Sequence, residues 1–136
     1  MGTCLMCIKT KPLDLLVVDD EQGFVRVLSK RMERRGIRVA GSHTGSRAIQ
    51  LLRHQDFDAA VVDLKMEDMN GIEVLKIFKK MVPELPVIML TGHGCEAAAK
   101  EGMASGAAEY LTKPCSLDEL IDVIRRAAGP AGEEAV

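Results

Sequence analysis

Residues 15–22 read LLVVDDEQ, four apolar residues running straight into the three carboxylates Asp19, Asp20 and Glu21. An unbroken apolar run of this length fits a strand covered on both faces in a parallel sheet, because a half-exposed strand would alternate apolar with polar. The acids at its end raise an electrostatic question. Two like charges at about 4 Å and an effective dielectric near 20 repel by roughly 4 kcal/mol. Either the carboxylates point apart or a cation offsets their repulsion.

Similar runs at Ile37–Ala40, Ala59–Val62 and Val87–Leu90, with a shorter one at Tyr110-Leu111, are the candidates for strands two to five. Between them, Phe24, Leu28 and Met32, then Ala48, Ile49 and Leu52, then Val74, Leu75 and Phe78 recur at helical spacing. Gly36 after Arg34-Arg35 suits a helix stop, and Thr44 can cap the second helix. Ser116 with Glu119 reads as a capping box, followed by the stripe Leu117, Leu120, Ile121 and Ile124 and a stop at Gly129-Pro130. A fourth helix at about 95–104 is alanine-rich with Gly102 and Gly106 nearby, which predicts the most mobile element. Strand and helix alternate five times, the pattern of an α/β sheet with helices on both faces. Right-handed crossovers bring the C-terminal strand ends to one edge, where open sheets of this kind bind ligands.

Composition excludes several classes of function. At 136 residues, 28% charged and 47% hydrophobic, the chain fits one globular domain. A formal charge of -2 gives no basic footprint for nucleic acid, so direct DNA contact is not expected. No apolar run is long enough to span a membrane, and MGTCLMCIKTKP lacks a signal-peptide core, so a cytoplasmic protein is expected. Of Cys4, Cys7, Cys95 and Cys115 only the first two have C-x-x-C spacing, and the others supply no second pair for zinc, so free thiols are expected. His43 and His54 show no metal-ligand spacing with His93.

The chemistry gathers at the strand ends. Strand one ends at Asp19-Asp20, strand three at Asp63, strand four at Thr91, and strand five leads to Lys113-Pro114. Neighbouring strand residues alternate faces, so Asp19 and Asp20 converge only if the chain turns there. Three carboxylates in one pocket would suit a hard cation, magnesium in particular. Read singly, the same residues allow blander roles: Thr91 as a helix cap, Tyr110 as a half-buried core aromatic, the acids as solvated loop residues.

In order and separation, VVDDE (17–21), VVDLKMEDMNG (61–71), MLTGHG (89–94) and EYLTKP (109–114) resemble the motifs of the receiver domain of two-component response regulators. The resemblance covers about residues 13–128, leaving 1–12 as an N-terminal extension and 129–136 as a C-terminal tail. It implies a flavodoxin-like, doubly wound five-stranded parallel sheet in the order 2-1-3-4-5 with five helices. It further implies that Asp63 accepts a phosphoryl group. Asp20 would bind Mg2+ directly, Asp19 through a water, and Lys65 through its backbone carbonyl. Thr91 and Lys113 would contact the phosphoryl oxygens, Tyr110 would be the switch aromatic, and the Lys113-Pro114 bond would be cis. Lys65 and His93 occupy positions that tune phosphate lifetime in the family. Phosphoryl transfer rests mainly on positioning and charge stabilisation, so a carboxylate nucleophile flanked by a cation and an ammonium is sound on chemical grounds as well.

The implied partners are a histidine kinase or phosphotransfer protein and a downstream target at the helix 4/strand 5/helix 5 face, with a homodimer also open. One departure stands out: Glu67 occupies a place where receivers commonly have proline. Two rival readings are a receiver-like interaction module that never takes phosphate, and a magnesium-dependent phosphatase with an aspartate nucleophile. The latter usually needs a second aspartate where Lys65 stands. Only GPAGEEAV follows helix five, so a standalone receiver, or a piece of a longer regulator or hybrid kinase, is expected rather than a chain with its own output domain. TGHG resembles receivers attached to enhancer-binding transcriptional activators.

Overall fold

The structure is a computed structural model that describes residues 12–92 and 96–128. His93, Cys95, the tail and nearly all of the expected N-terminal extension, including Cys4 and Cys7, lie outside the described residues. In chain order the elements are β1 (Leu13–Val18), α1 (Gln22–Glu33), β2 (Ile37–Ser42), α2 (Gly45–His54), β3 (Ala59–Asp63), α3 (Gly71–Met81), β4 (Val87–Thr91), α4 (Glu96–Ala104), β5 (Glu109–Thr112) and α5 (Leu117–Ala128). The strands form one parallel sheet in the order β2-β1-β3-β4-β5, the flavodoxin-like arrangement. Strand order reverses at β1, which opens a crevice between the ends of β1 and β3.

The apolar run at the end of β1 is buried along its whole length: Leu15, Leu16, Val17 and Val18 are fully inaccessible. Alternation along the strand sends them to different cores. Leu16 and Val18 join Ala48, Leu52, Val74 and Phe78 under α2 and α3. Leu15 and Val17 join Leu28, Met32, Leu120 and Ile124 under α1 and α5. Each such side chain contributes about 1.5–3 kcal/mol by leaving water, so β1 anchors both layers and its C-terminal end is held from both sides.

Capping follows local sequence. Thr44 Oγ1 accepts from the Arg47 amide at the start of α2, as expected. Ser116 Oγ accepts from the Glu119 amide, which is one arm of the expected box. A complete capping box stands instead at α3, where Asn70 and Glu73 reciprocate. Gly36 lies at φ +81°, the left-handed conformation that a helix stop uses.

The end of β2 and the buried face of α1 differ from expectation. β2 runs two residues further, to Ser42, because it is an edge strand: Arg38 and Gly41 are exposed, so no apolar run could mark its end. The buried face of α1 is Val25, Leu28 and Met32, with Phe24 half-buried and turned to another use described below. α4 buries only Ala99 and Gly102, the latter beside Ile72 and Met89. No described helix is long and apolar enough to cross a membrane.

Candidate functional site

β1 stops at Val18, so Asp19 and Asp20 lie in the turn beyond it and are freed from strand alternation. The Asp19 amide still donates to the Ser42 carbonyl (3.0 Å), which extends the β1–β2 ladder by one residue and fixes the start of the turn. Its carboxylate is fully buried and accepts from two donors, the Glu21 amide (3.0 Å) on Oδ1 and the Lys113 ammonium (2.7 Å) on Oδ2. Asp63 is the last residue of β3 and nearly buried. Carboxylate oxygens of Asp19, Asp20 and Asp63 all come within 4.8 Å of one another. The convergence that topology predicted is therefore present.

The other expected residues gather around these three. Thr91 closes β4, is 2% exposed, and its Oγ1 donates a long hydrogen bond (3.4 Å) to the Leu111 carbonyl. Lys113 follows β5, and its amide donates to the Thr91 carbonyl (2.7 Å). Its ammonium lies 2.7 Å from Asp19, 3.3 Å from Glu21 and 3.8 Å from Asp63. The Lys113-Pro114 peptide is cis, as the resemblance implied. Lys65 follows Asp63 by two residues, and its backbone amide favours the charged form of the Asp63 carboxyl. Tyr110 is not a core aromatic: it is 43% exposed on the edge strand β5.

Burial, then the neighbouring Asp19 charge, pushes the Asp63 carboxyl up to about 6, against the pull of Lys113 and the Lys65 amide. Burial works against the Lys113 charge, but Asp19, Asp63 and Glu21 outweigh it and hold the ammonium above its ordinary range. One ammonium thus faces three clustered carboxylates and Glu21. The donor atoms are all oxygens and the pocket is short of positive charge, which are the requirements of a hard divalent cation. The residues fit such an ion.

Three neighbours escaped the sequence reading. Phe24 places its ring 4.7 Å below the Lys113 ammonium, a cation–π contact that explains its departure from the buried stripe of α1. Its position in the first turn after the acidic loop was the available signal. His43 Nδ1 lies 3.4 Å from the Asp19 carbonyl, although its sequence spacing had given it no role. Asp68, which lies within the motif at 61–71 but was assigned no role, ties the loop after β3 to the start of α2.

The family model described as response regulator receiver domain matches residues 15–125. The transcriptional regulatory protein ZraR of Klebsiella oxytoca is 37% identical over 108 residues, which are 79% of this chain and 24% of that protein. The photosynthetic apparatus regulatory protein RegA of Cereibacter sphaeroides is 38% identical over 108 residues, 78% of this chain and 58% of that protein. Among solved structures, the receiver domain of the Francisella response regulator 1452 superposes with a TM-score of 0.81 at 32% identity, covering 88% of this chain and 98% of that one. The chain spans about a quarter of the length of the ZraR and GlrR regulators that it matches.

Proposed function

The chain belongs to the response regulator receiver family, and from that premise we propose that it is a phosphorylation-dependent switch of a two-component system with Asp63 as phosphoryl acceptor. The observation that carries the reading is the meeting of three carboxylates within 4.8 Å beside an ammonium 3.8 Å from Asp63.

The donor is a phosphohistidine on a histidine kinase or phosphotransfer protein. An Asp63 carboxylate oxygen attacks phosphorus, the P–N bond to the imidazole breaks, and the acyl phosphate formed is later hydrolysed. Asp19, Asp20 and Asp63, with the Lys65 carbonyl, would hold Mg2+, which when bound would supply positive charge to the transferring group. Lys113 supplies a second positive charge to the phosphoryl oxygens. Its contact with Asp19 keeps the ammonium beside Asp63, and the ring of Phe24 supports it from below. The long bond from Thr91 to Leu111 leaves its hydroxyl free to turn toward a phosphoryl oxygen.

Thr91 moving inward leaves space for Tyr110, whose exposed ring rotates toward it. The face of α4, β5 and α5 then changes partners, whether a downstream target or a second copy. Moving such an equilibrium from 1:99 to 99:1 takes about 5.5 kcal/mol of differential interaction. Lys65 and His93 set how readily water reaches the acyl phosphate. The cytoplasm is where such a relay would operate.

Incubation with Mg2+ and acetyl phosphate, followed by intact-mass measurement, tests the reading. A gain of one phosphoryl group that needs Mg2+ and disappears in Asp63→Ala supports it. An unchanged mass would leave a phosphate-independent interaction module, and continuous turnover of a phosphoester would leave a phosphatase.

A further inference from the structure

The loop Leu64–Asn70 between β3 and α3 carries Lys65 to the pocket, yet Glu67 stands where a proline would stiffen it. What fixes the loop comes from elsewhere in the chain. Both oxygens of Asp68 reach the first turn of α2: Oδ1 accepts from the Gly45 amide (2.9 Å), and Oδ2 from the Ser46 amide (3.1 Å) and hydroxyl (3.1 Å). Those amides have no partner within their own helix. Thr44 caps only the Arg47 amide, and α2 has no acidic residue in its first turn. Asp68 therefore supplies from another element both the acceptors and the negative charge that the start of a helix favours. The Gly45 amide, foremost among these contacts, holds the Asp68 carboxyl below its ordinary range.

Two glycines make the fit close. A Cβ on Gly45 would crowd Met69 of the loop and Val74 of α3, so the bare backbone there lets the loop pack closely against α2. A Cβ on Gly71 would collide with the Asp63 carbonyl, and the Gly71 amide donates to the Leu64 carbonyl (2.9 Å), closing the loop at its base.

We propose that Asp68 is a positioning residue that fastens the loop 64–70 to the N-terminus of α2 and thereby holds Lys65 against Asp63, doing from a side chain what proline would do in the backbone. The consequence for metal binding rests on the proposed function; the fastening itself does not. A neighbour that orients a ligand-bearing segment without touching the ion is the kind of group whose loss weakens metal affinity.

Two variants of the full chain decide it. Asp68→Ala releases the loop, whereas Thr44→Ala removes the helix's own cap and leaves the Asp68 contacts in place. In metal-free protein, amide hydrogen exchange at Lys65 and Gly71 is expected to quicken by about tenfold in Asp68→Ala and to stay near the unaltered rate in Thr44→Ala. Titration with Mg2+ alone, followed by amide chemical shifts, is expected to show affinity about tenfold weaker in Asp68→Ala only. Equal effects in both variants would mean that Asp68 acts only through the stability of α2, and unchanged exchange in Asp68→Ala would mean that it fastens nothing; either overturns the proposal. If the unaltered protein ignores Mg2+, the phosphoryl-acceptor reading fails, while the exchange rates still decide the fastening.

Discussion

Asp14, at the start of β1, and Asp19, just past its end, mark the two ends of one strand and carry the same ionisable group in opposite surroundings. Asp14 meets Arg38 in a two-pronged contact (2.8 and 3.0 Å) at the surface, and its amide donates to Asp58 (2.8 Å). Asp19 is fully buried among Asp20, Asp63 and a single ammonium. At the first end each charge has water and a partner. At the second, acids outnumber the cation and Asp19 is cut off from water, so its repulsion with its neighbours is poorly screened. Strong perturbation confined to one end of the sheet marks that end as the candidate for chemistry.

The sharpest way to break the contrast is to remove the ammonium. Lys113→Ala leaves Asp19 buried with an uncompensated charge, and breaking a buried pair in this way costs about 3–5 kcal/mol. Lys113 is itself 23% exposed, so a loss near the lower bound, about 3 kcal/mol, is expected in denaturant unfolding without metal. Mg2+ should return part of this stability, since an ion bound only by the folded state adds about 2.7 kcal/mol at a hundredfold excess over its dissociation constant. Phosphorylation by acetyl phosphate should fall by about a hundredfold or more even at saturating Mg2+, because the charge on the phosphoryl oxygens loses one stabiliser. A variant as stable and as fast as the unaltered protein would show that the pocket does not depend on this charge.

Protonation offers a second test. With its carboxyl raised from 3.8 to about 6, folded Asp63 keeps its proton where the unfolded chain has released it. Below about pH 4 both states are protonated and the group is neutral toward folding. From there to about pH 6 the unfolded state binds fewer protons, so stability falls as pH rises and levels off above. Asp63→Asn should therefore stabilise the metal-free protein by on the order of 2–3 kcal/mol at pH 8 and by almost nothing at pH 4. In the unaltered protein, stabilisation by Mg2+ should strengthen across the same window, because proton and ion compete for one carboxylate. A flat difference between the two proteins from pH 4 to 8 would refute the unbalanced pocket.

Legibility in the sequence followed the same division. Doubly buried strands announce themselves as apolar runs, so β1, β3 and β4 were readable, and strand-helix alternation yielded the sheet. The end of β2 was not, because an edge strand needs no apolar signal there. Asp19, Asp20, Asp63, Thr91 and Lys113 stood at strand ends, where topology alone brings residues together, and the structure gathers them. Contacts that depend on the path of a loop had no such guide. Asp68 meets Gly45 across 23 positions, and neither residue belongs to a periodic pattern. Phe24 had the spacing of a core residue, and its place in the first turn after the acidic loop was the one weak sign of the lysine that lies over its ring.

That ring gives a smaller test of the crowded end. Phe24→Leu keeps apolar bulk beside the pocket and removes the aromatic face, which should cost about 0.5–1 kcal/mol in unfolding experiments. The phosphorylation rate should drop only a fewfold, since Asp19 still holds the ammonium. A loss as deep as that of Lys113→Ala would mean that the ring, rather than the carboxylate, positions the lysine.

The smallest effect is expected at the opposite end, and it is the one that most constrains the comparison. Arg38→Ala removes both prongs on Asp14, two charged hydrogen bonds of good length. The Arg38 side chain is 63% exposed, however, and Asp14 keeps access to water once the partner is gone. Exposed pairs of this kind contribute little to stability, because solvent already accommodates each charge and salt screens what remains. The thermal midpoint should hardly move, and Mg2+ affinity and phosphorylation should match the unaltered protein, the site lying at the far end of β1. If Arg38→Ala instead lowered Mg2+ affinity, the two ends of the strand would be coupled through the sheet, and burial with unbalanced charge would no longer account for where the chemistry sits.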